Sequence, residues 1–234
     1  MHYTTLSSLV EPGLWAVRGL RAQLSRDGAP WDGPPRLALC VSAGRTGTQF
    51  MARLFNRVSP GVCAVHEPTP DFFYATRALR HGWLSPRRAA CFYRRRRAHL
   101  YRETADHGEH LLLESNHNLT WFIEHADLIA RDVRVVAMVR DGRSWLRSAY
   151  SKHPDPNKDF LFMSEDDHRP RPSPEEFSDD PWVRRWDQLD RFGRLAWYWG
   201  RKNTALLRAQ DRGVDLHWVR FESLFGGNGV SDIR

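Results

Sequence analysis

Two stretches of this chain set cations, hydroxyls and glycines at spacings that suit a bound phosphate or sulfate group. In Ser42-Ala43-Gly44-Arg45-Thr46-Gly47-Thr48 the glycines permit a tight turn, and successive N–H groups can converge on an anion at the mouth of a following helix. Arg45 adds a forked cation, and Thr46 and Thr48 add hydroxyls. The second stretch, Val135 to Tyr150 (VVAMVRDGRSWLRSAY), puts Arg140 at the end of an apolar run and Ser148 about two helical turns further on, so that both can face one ligand. A nucleoside-triphosphate loop ends in Gly-Lys followed by Ser or Thr, whereas here Gly47 is followed by Thr48.

Such side chains need strand-to-helix turns to position them, and the sequence supplies several. Leu37 to Phe55 (LALCVSAGRTGTQFMARLF) reads as a buried strand, a loop, and a helix whose Phe50, Met51, Leu54 and Phe55 form one apolar face. Val62 to His66, Leu111 to Glu114, Val133 to Val139 and Leu216 to Phe221 are further short apolar runs suited to buried strands. Helical patterns at Leu119 to Ala130, Arg143 to Tyr150 and Arg185 to Gln210 separate most of them. Alternating strands and helices predict an α/β fold of three layers, like that of P-loop NTPases, with a mainly parallel central sheet flanked by helices and a ligand site at the carboxyl ends of the strands.

The rest of the chain reads less regularly. Leu14 to Leu24 is expected to be a docking helix, followed by a linker punctuated by Pro30, Pro34 and Pro35, which divides the chain into residues 1–35 and a domain over 36–234. Arg87 to Arg102, with RRRR at Arg94 to Arg97, and Lys152 to Pro181, dense in Pro, Asp and Glu, are expected to be irregular, the latter as a long loop or lid. The four arginines suit a solvated helix face or a surface for an anionic acceptor.

Arg45-Thr46-Gly47-Thr48-Gln49 and Arg140-Asp141-Gly142-Arg143, with Ser148 beyond, resemble the two nucleotide-binding motifs of sulfotransferases that use 3′-phosphoadenosine-5′-phosphosulfate. Weaker echoes are Trp197 to Asn203 (WYWGRKN) and Val219 to Phe225 (VRFESLF). The chain departs from the family pattern in three ways. Gly142 stands where Pro is usual and is expected to loosen that turn, Gln49 replaces a hydroxyl residue, and the chain stops at Arg234, where family members continue, so the domain is expected to be short or truncated.

The resemblance implies transfer of a sulfuryl group to an acceptor hydroxyl by in-line displacement, with no metal. It places Arg45 on the bridging and sulfuryl oxygens, and Thr46, Gly47, Thr48 and Gln49 on the 5′-phosphate. Arg140 and Ser148 then hold the 3′-phosphate. Glu67, after the second strand and fixed by Pro68, is implied as the base, as in the glycan and tyrosyl branches, which Arg45 in place of Lys also resembles. His117, at the end of the third strand, is the competing base, because an imidazole titrates near working pH. The acceptor would be a glycan, lipid or small metabolite.

Composition sets the outer limits. With 234 residues, 41% of them hydrophobic, the chain can bury a substantial core, and a formal charge of +7 favours anionic ligands. Three widely spaced cysteines without a Cys-x-x-Cys pair suggest neither a disulfide framework nor a zinc site. That, with no signal-like or membrane-spanning run, predicts a cytoplasmic protein. A P-loop kinase is the first rival, opposed by the missing Gly-Lys. A non-catalytic polyanion binder is the second, and the compact placement of Arg45 and Arg140 argues against it and against a nucleic-acid partner.

Overall fold

The computed structural model describes residues 30–151, 162, 171–177 and 180–225. Five strands form one sheet: β1 (Arg36–Ser42), β2 (Val62–His66), β3 (Leu111–Ser115), β4 (Val133–Val139) and β5 (Leu216–Arg220), in the order β2-β3-β1-β4-β5. Every pairing is parallel, so "mainly parallel" becomes all parallel among the described strands. The helices are α1 (Thr48–Val58), α2 (Phe73–Arg80), α3 (Pro86–Asp106), α4 (Gly142–Tyr150), α5 (Arg191–Asp211) and the short α6 (Phe221–Phe225).

Side-chain alternation along the strands builds two cores, one on each face of the sheet. Leu37, Leu39 and Val41 of β1 join Val135 and Ala137 of β4 and Leu112 of β3 in a core shared with Ala90 and Tyr93 of α3 and Leu206 of α5. Ala38, Cys40, Leu113 and Met138 face the other way, against Met51 and Ala52 of α1. Helices therefore cover both faces. The central β1 lies between β3 and β4, so the strand order switches sides there, and the ends of β1, β3 and β4 open onto a crevice.

Three expectations about elements need correction. Residues Arg87 to Arg102 are helical, not irregular. Ser85 caps α3 by accepting from the Arg88 N–H, Pro86 begins it, and the buried side chains Ala90, Tyr93, Arg97 and Thr104 form its inner stripe. Arg97 occupies an apolar position in that stripe, which is why the periodicity was hidden. Residues Leu119 to Ala130 form two short 3₁₀ stretches, His117–Trp121 and Ile123–Leu128, separated at Phe122, and the second is kinked where His125 leaves helical geometry at φ −121°. The pattern at Arg185 to Gln210 divides into a 3₁₀ stretch at Pro181–Gln188 and α5, which starts at Arg191 with Asp190 as its cap.

The helix expected at Leu14 to Leu24 lies outside the described residues, as does most of Lys152 to Pro181. The end of the proline-rich linker packs on the domain. Trp31 exchanges backbone hydrogen bonds with Ile129 and Arg131 and stacks on Tyr101 at 4.2 Å. No described helix is long and apolar enough to cross a membrane.

Candidate active site

The ends of β1, β2, β3 and β4 surround a cleft of about 750 Å³. Arg45, Gly47, Thr48, Gln49, Glu67, His117, Arg140 and Ser148 all line it, so nearly every candidate from the two motifs and the two strand ends meets at one place. Thr46 is the exception. Its side chain is buried, its hydroxyl has no hydrogen-bond partner, and it is not part of the cleft wall.

The first loop takes its shape from left-handed backbone at Gly44 (φ 78°), Arg45 (φ 55°) and Gly47 (φ 80°). Ser42 Oγ accepts from the Gly44 N–H, and Thr120 clamps the strand end by donating to the Ser42 carbonyl at 2.7 Å. Gly47 caps α1 without a side-chain hydrogen bond, so the first-turn N–H groups of this helix stay open for an anion. A Cβ at Gly44 would lie 3.5 Å from the His117 ring, so glycine also brings the loop against that side chain.

The second motif interlocks with the first. Arg140 Nη1 donates to the Arg45 carbonyl at 3.0 Å, and Arg45 Nη2 donates to Ser148 Oγ at 3.2 Å. Arg140 also lies over the Phe221 ring at 4.2 Å, and its Nε is buried without a partner. Partial burial lowers its pKa; Glu222 opposes this, and the nearby Arg45 and Arg147 lower it further. A cluster of guanidiniums with too little negative charge around it fits an anionic ligand.

Gly142 does not loosen the turn. Asp141 accepts from the Ser144 N–H, its own N–H donates to Glu222, and Trp199 Nε1 donates to the Arg140 carbonyl at 3.3 Å. A Cβ at position 142 would stand 3.3 Å from the Trp199 ring, so glycine makes room for this tryptophan.

In the same cleft, Glu67 and His117 form a pair. Glu67 has left-handed backbone (φ 43°), an uncommon state for a non-glycine residue that places strain at this turn. Its Oε1 hydrogen-bonds His117 Nδ1. A carboxylate only accepts, so Nδ1 carries the proton of this hydrogen bond. Partial burial raises the Glu67 pKa, but the His117 hydrogen bond and the positive fields of His117, His66 and Lys202 outweigh it and hold the carboxyl below its ordinary value.

Several residues that sequence reasoning did not single out support this site. Lys202 is fully buried, donates to the His117 carbonyl at 2.5 Å and packs over Trp121 at 4.6 Å. Burial holds its ammonium well below the ordinary lysine value, the nearby Arg80 adds to this, and Glu67 opposes it. Trp145 Nε1 donates to the Gly44 carbonyl at 2.7 Å. Arg80, on the cleft wall, pairs with Glu176 at 2.6 Å and thereby ties the segment bearing Arg171 and Pro172 to α2. The WYWGRKN stretch could have revealed part of this, since Trp199 and Lys202 lie one helical turn apart.

The four arginines of the RRRR run divide. Arg95 and Arg96 are exposed, Arg94 binds the Leu128 carbonyl, and Arg97 is fully buried against Glu114. A solvated face therefore describes only part of the run. Among the described residues no group of three or more His, Cys, Asp or Glu side chains could hold a metal ion.

No family model, curated protein or solved structure matches the chain.

Proposed function

We propose that the protein is a sulfotransferase that moves a sulfuryl group from 3′-phosphoadenosine-5′-phosphosulfate to an acceptor hydroxyl. The observation that carries this reading is the contact between the two motifs. Arg140 on the Arg45 carbonyl and Arg45 on Ser148 join turns 95 and 103 residues apart into one cationic wall. That wall suits a ligand with two separated anionic groups, one at the β1 loop and one at the β4 turn.

In this reading the α1 N-terminus with Thr48 and Gln49 holds the 5′-phosphate, and Arg45 neutralises charge that grows on the bridging oxygen as the S–O bond breaks. Arg140 and Ser148 hold the 3′-phosphate. The acceptor oxygen attacks sulfur from the opposite side, and its proton passes to the Glu67–His117 pair. With the His117 ring neutral, Glu67 Oε2 and His117 Nε2 are the pair's remaining lone-pair atoms, and Lys202 fixes the His117 backbone. Positioning and charge neutralisation supply most of the rate, with the base adding roughly 10²–10⁴.

Calorimetric titration with 3′-phosphoadenosine-5′-phosphate tests the reading, with ATP and Mg²⁺ as the comparison. Binding of the desulfated donor that is lost in Arg140→Ala supports it. Preferential binding of ATP with Mg²⁺ would favour a phosphotransferase.

A further inference from the structure

We propose that Arg97 is the positioning residue of the Glu67–His117 pair, cross-linking from beneath the turn that carries Glu67 and the strand end that leads into His117. The proposal rests on the reading of that pair as the catalytic base.

The turn after β2 has little means of fixing itself. Pro68 and Pro70 lack N–H donors, and Glu67 holds a left-handed conformation that persists only where its surroundings enforce it. The Glu67 N–H donates to the Ser115 carbonyl at 2.9 Å, and Arg97 adds ties further along the turn. Its Nη2 donates to the carbonyls of Pro68 and Pro70 at 2.9 and 2.8 Å.

The same guanidinium grips the other half of the pair. Nε donates to Glu114 Oε2 at 2.6 Å, and Nη2, whose two protons are shared among three acceptors, lies 2.9 Å from Glu114 Oε1; Glu114 stands on β3 three residues before His117. Asn116 closes the ring, its Nδ2 donating to Glu114 Oε1 at 2.9 Å and to the Asp71 carbonyl at 3.1 Å. Tyr93 donates to Glu114 Oε2 at 2.9 Å. Arg97 and Glu114 are both fully buried, so the positions of their partners are set by geometry that water does not relax. Two of the Arg97 contacts go to the backbone just beyond Glu67.

The test follows the Glu67 carboxyl by ¹³C NMR titration in the full chain, comparing wild type with His117→Gln, Arg97→Lys and the paired change Arg97→Met with Glu114→Met. Lysine keeps a positive charge beside Glu114 but lacks the planar fork, whose Nε holds Glu114 Oε2 while Nη2 reaches Glu114 Oε1 and the two carbonyls. The paired change strands no buried charge, so the fold does not hang on the ion pair. In wild type the Glu67 midpoint lies below that of an ordinary glutamate. It rises in His117→Gln, which removes the partner, and the proposal expects a rise toward the same value in both Arg97 chains.

A midpoint unchanged from wild type in a folded Arg97 chain overturns the proposal. Titration of each chain with 3′-phosphoadenosine-5′-phosphate runs alongside and is expected to show undiminished binding, because Arg97 does not touch the arginine wall. Failure of wild type to bind that nucleotide would overturn the sulfotransferase reading while the Glu67 titration still decides the role of Arg97, so the two failures are distinguishable.

Discussion

Glu67 and His117, fifty residues apart in sequence, meet through a single Oε1–Nδ1 hydrogen bond in the cleft that Arg45 and Arg140 also line. The proposed base and the proposed donor-binding cations thus share one cleft. Replacing Glu67 by Gln keeps its size and removes its charge. Release of 3′-phosphoadenosine-5′-phosphate from the donor, followed by chromatography with an acceptor found by screening, is expected to slow by roughly 10²–10⁴. Binding of the same nucleotide should not change.

The Glu67 carboxyl is held below its ordinary value in the folded chain, so its contribution to stability is present above the unfolded-state pKa, near 4.5, and is lost as pH falls through the lower folded value. Denaturant titrations of wild type and Glu67→Gln at pH 7 and at successively lower pH read this out. The wild-type advantage should be constant down to about the ordinary glutamate pKa and shrink below it; an advantage that grows with acidity would contradict the assignment.

Lys202 gives a pH dependence of the same direction in a different pH window. Its folded pKa is pushed well below 10.5, so the unfolded chain binds more protons and wild-type stability rises with pH until the unfolded lysine also loses its proton. Lys202→Met removes this dependence at nearly constant volume. The stability of the variant relative to wild type should fall steadily between pH 7 and pH 10, measured by urea unfolding.

Much of the frame was legible in the sequence. The five apolar runs became five strands because buried parallel strands need continuous Leu, Val and Ala, and the two glycine-bearing turns fell at strand ends as their spacing implied. What stayed hidden was charge that folding buries. Arg97 sits among three other arginines and looks solvated, yet its partner Glu114 is seventeen residues away on another element. Lys202 and Glu176 were unreadable for the same reason: a buried ion is defined by partners that only the tertiary fold supplies. The 3₁₀ breaks near Phe122 and His125 lacked a glycine or proline to announce them.

Glu176 draws together Arg80 at 2.6 Å, His81 at 3.6 Å and Arg77 at 3.9 Å, with its side chain almost fully buried. Removing it by Glu176→Ala leaves Arg77 and Arg80 facing one another at the cleft wall, at a cost of about 3–5 kcal/mol. Thermal melting should show the loss, and limited proteolysis should show faster cleavage within residues 171–177, which Glu176 anchors to α2.

The central claim is that the wall built by Arg45, Arg140 and Ser148 holds the two phosphates of a 3′-phosphoadenosine nucleotide. Isothermal titration of wild type and Arg140→Ala with 3′-phosphoadenosine-5′-phosphate, beside adenosine-5′-phosphate lacking the 3′ group, tests it most directly. The account predicts that wild type prefers the bisphosphate and that Arg140→Ala weakens it roughly 10-fold to 100-fold, as expected for a lost charge-assisted contact, while leaving the monophosphate little changed. Equal affinity of wild type for the two nucleotides, or a bisphosphate affinity indifferent to Arg140, would contradict it.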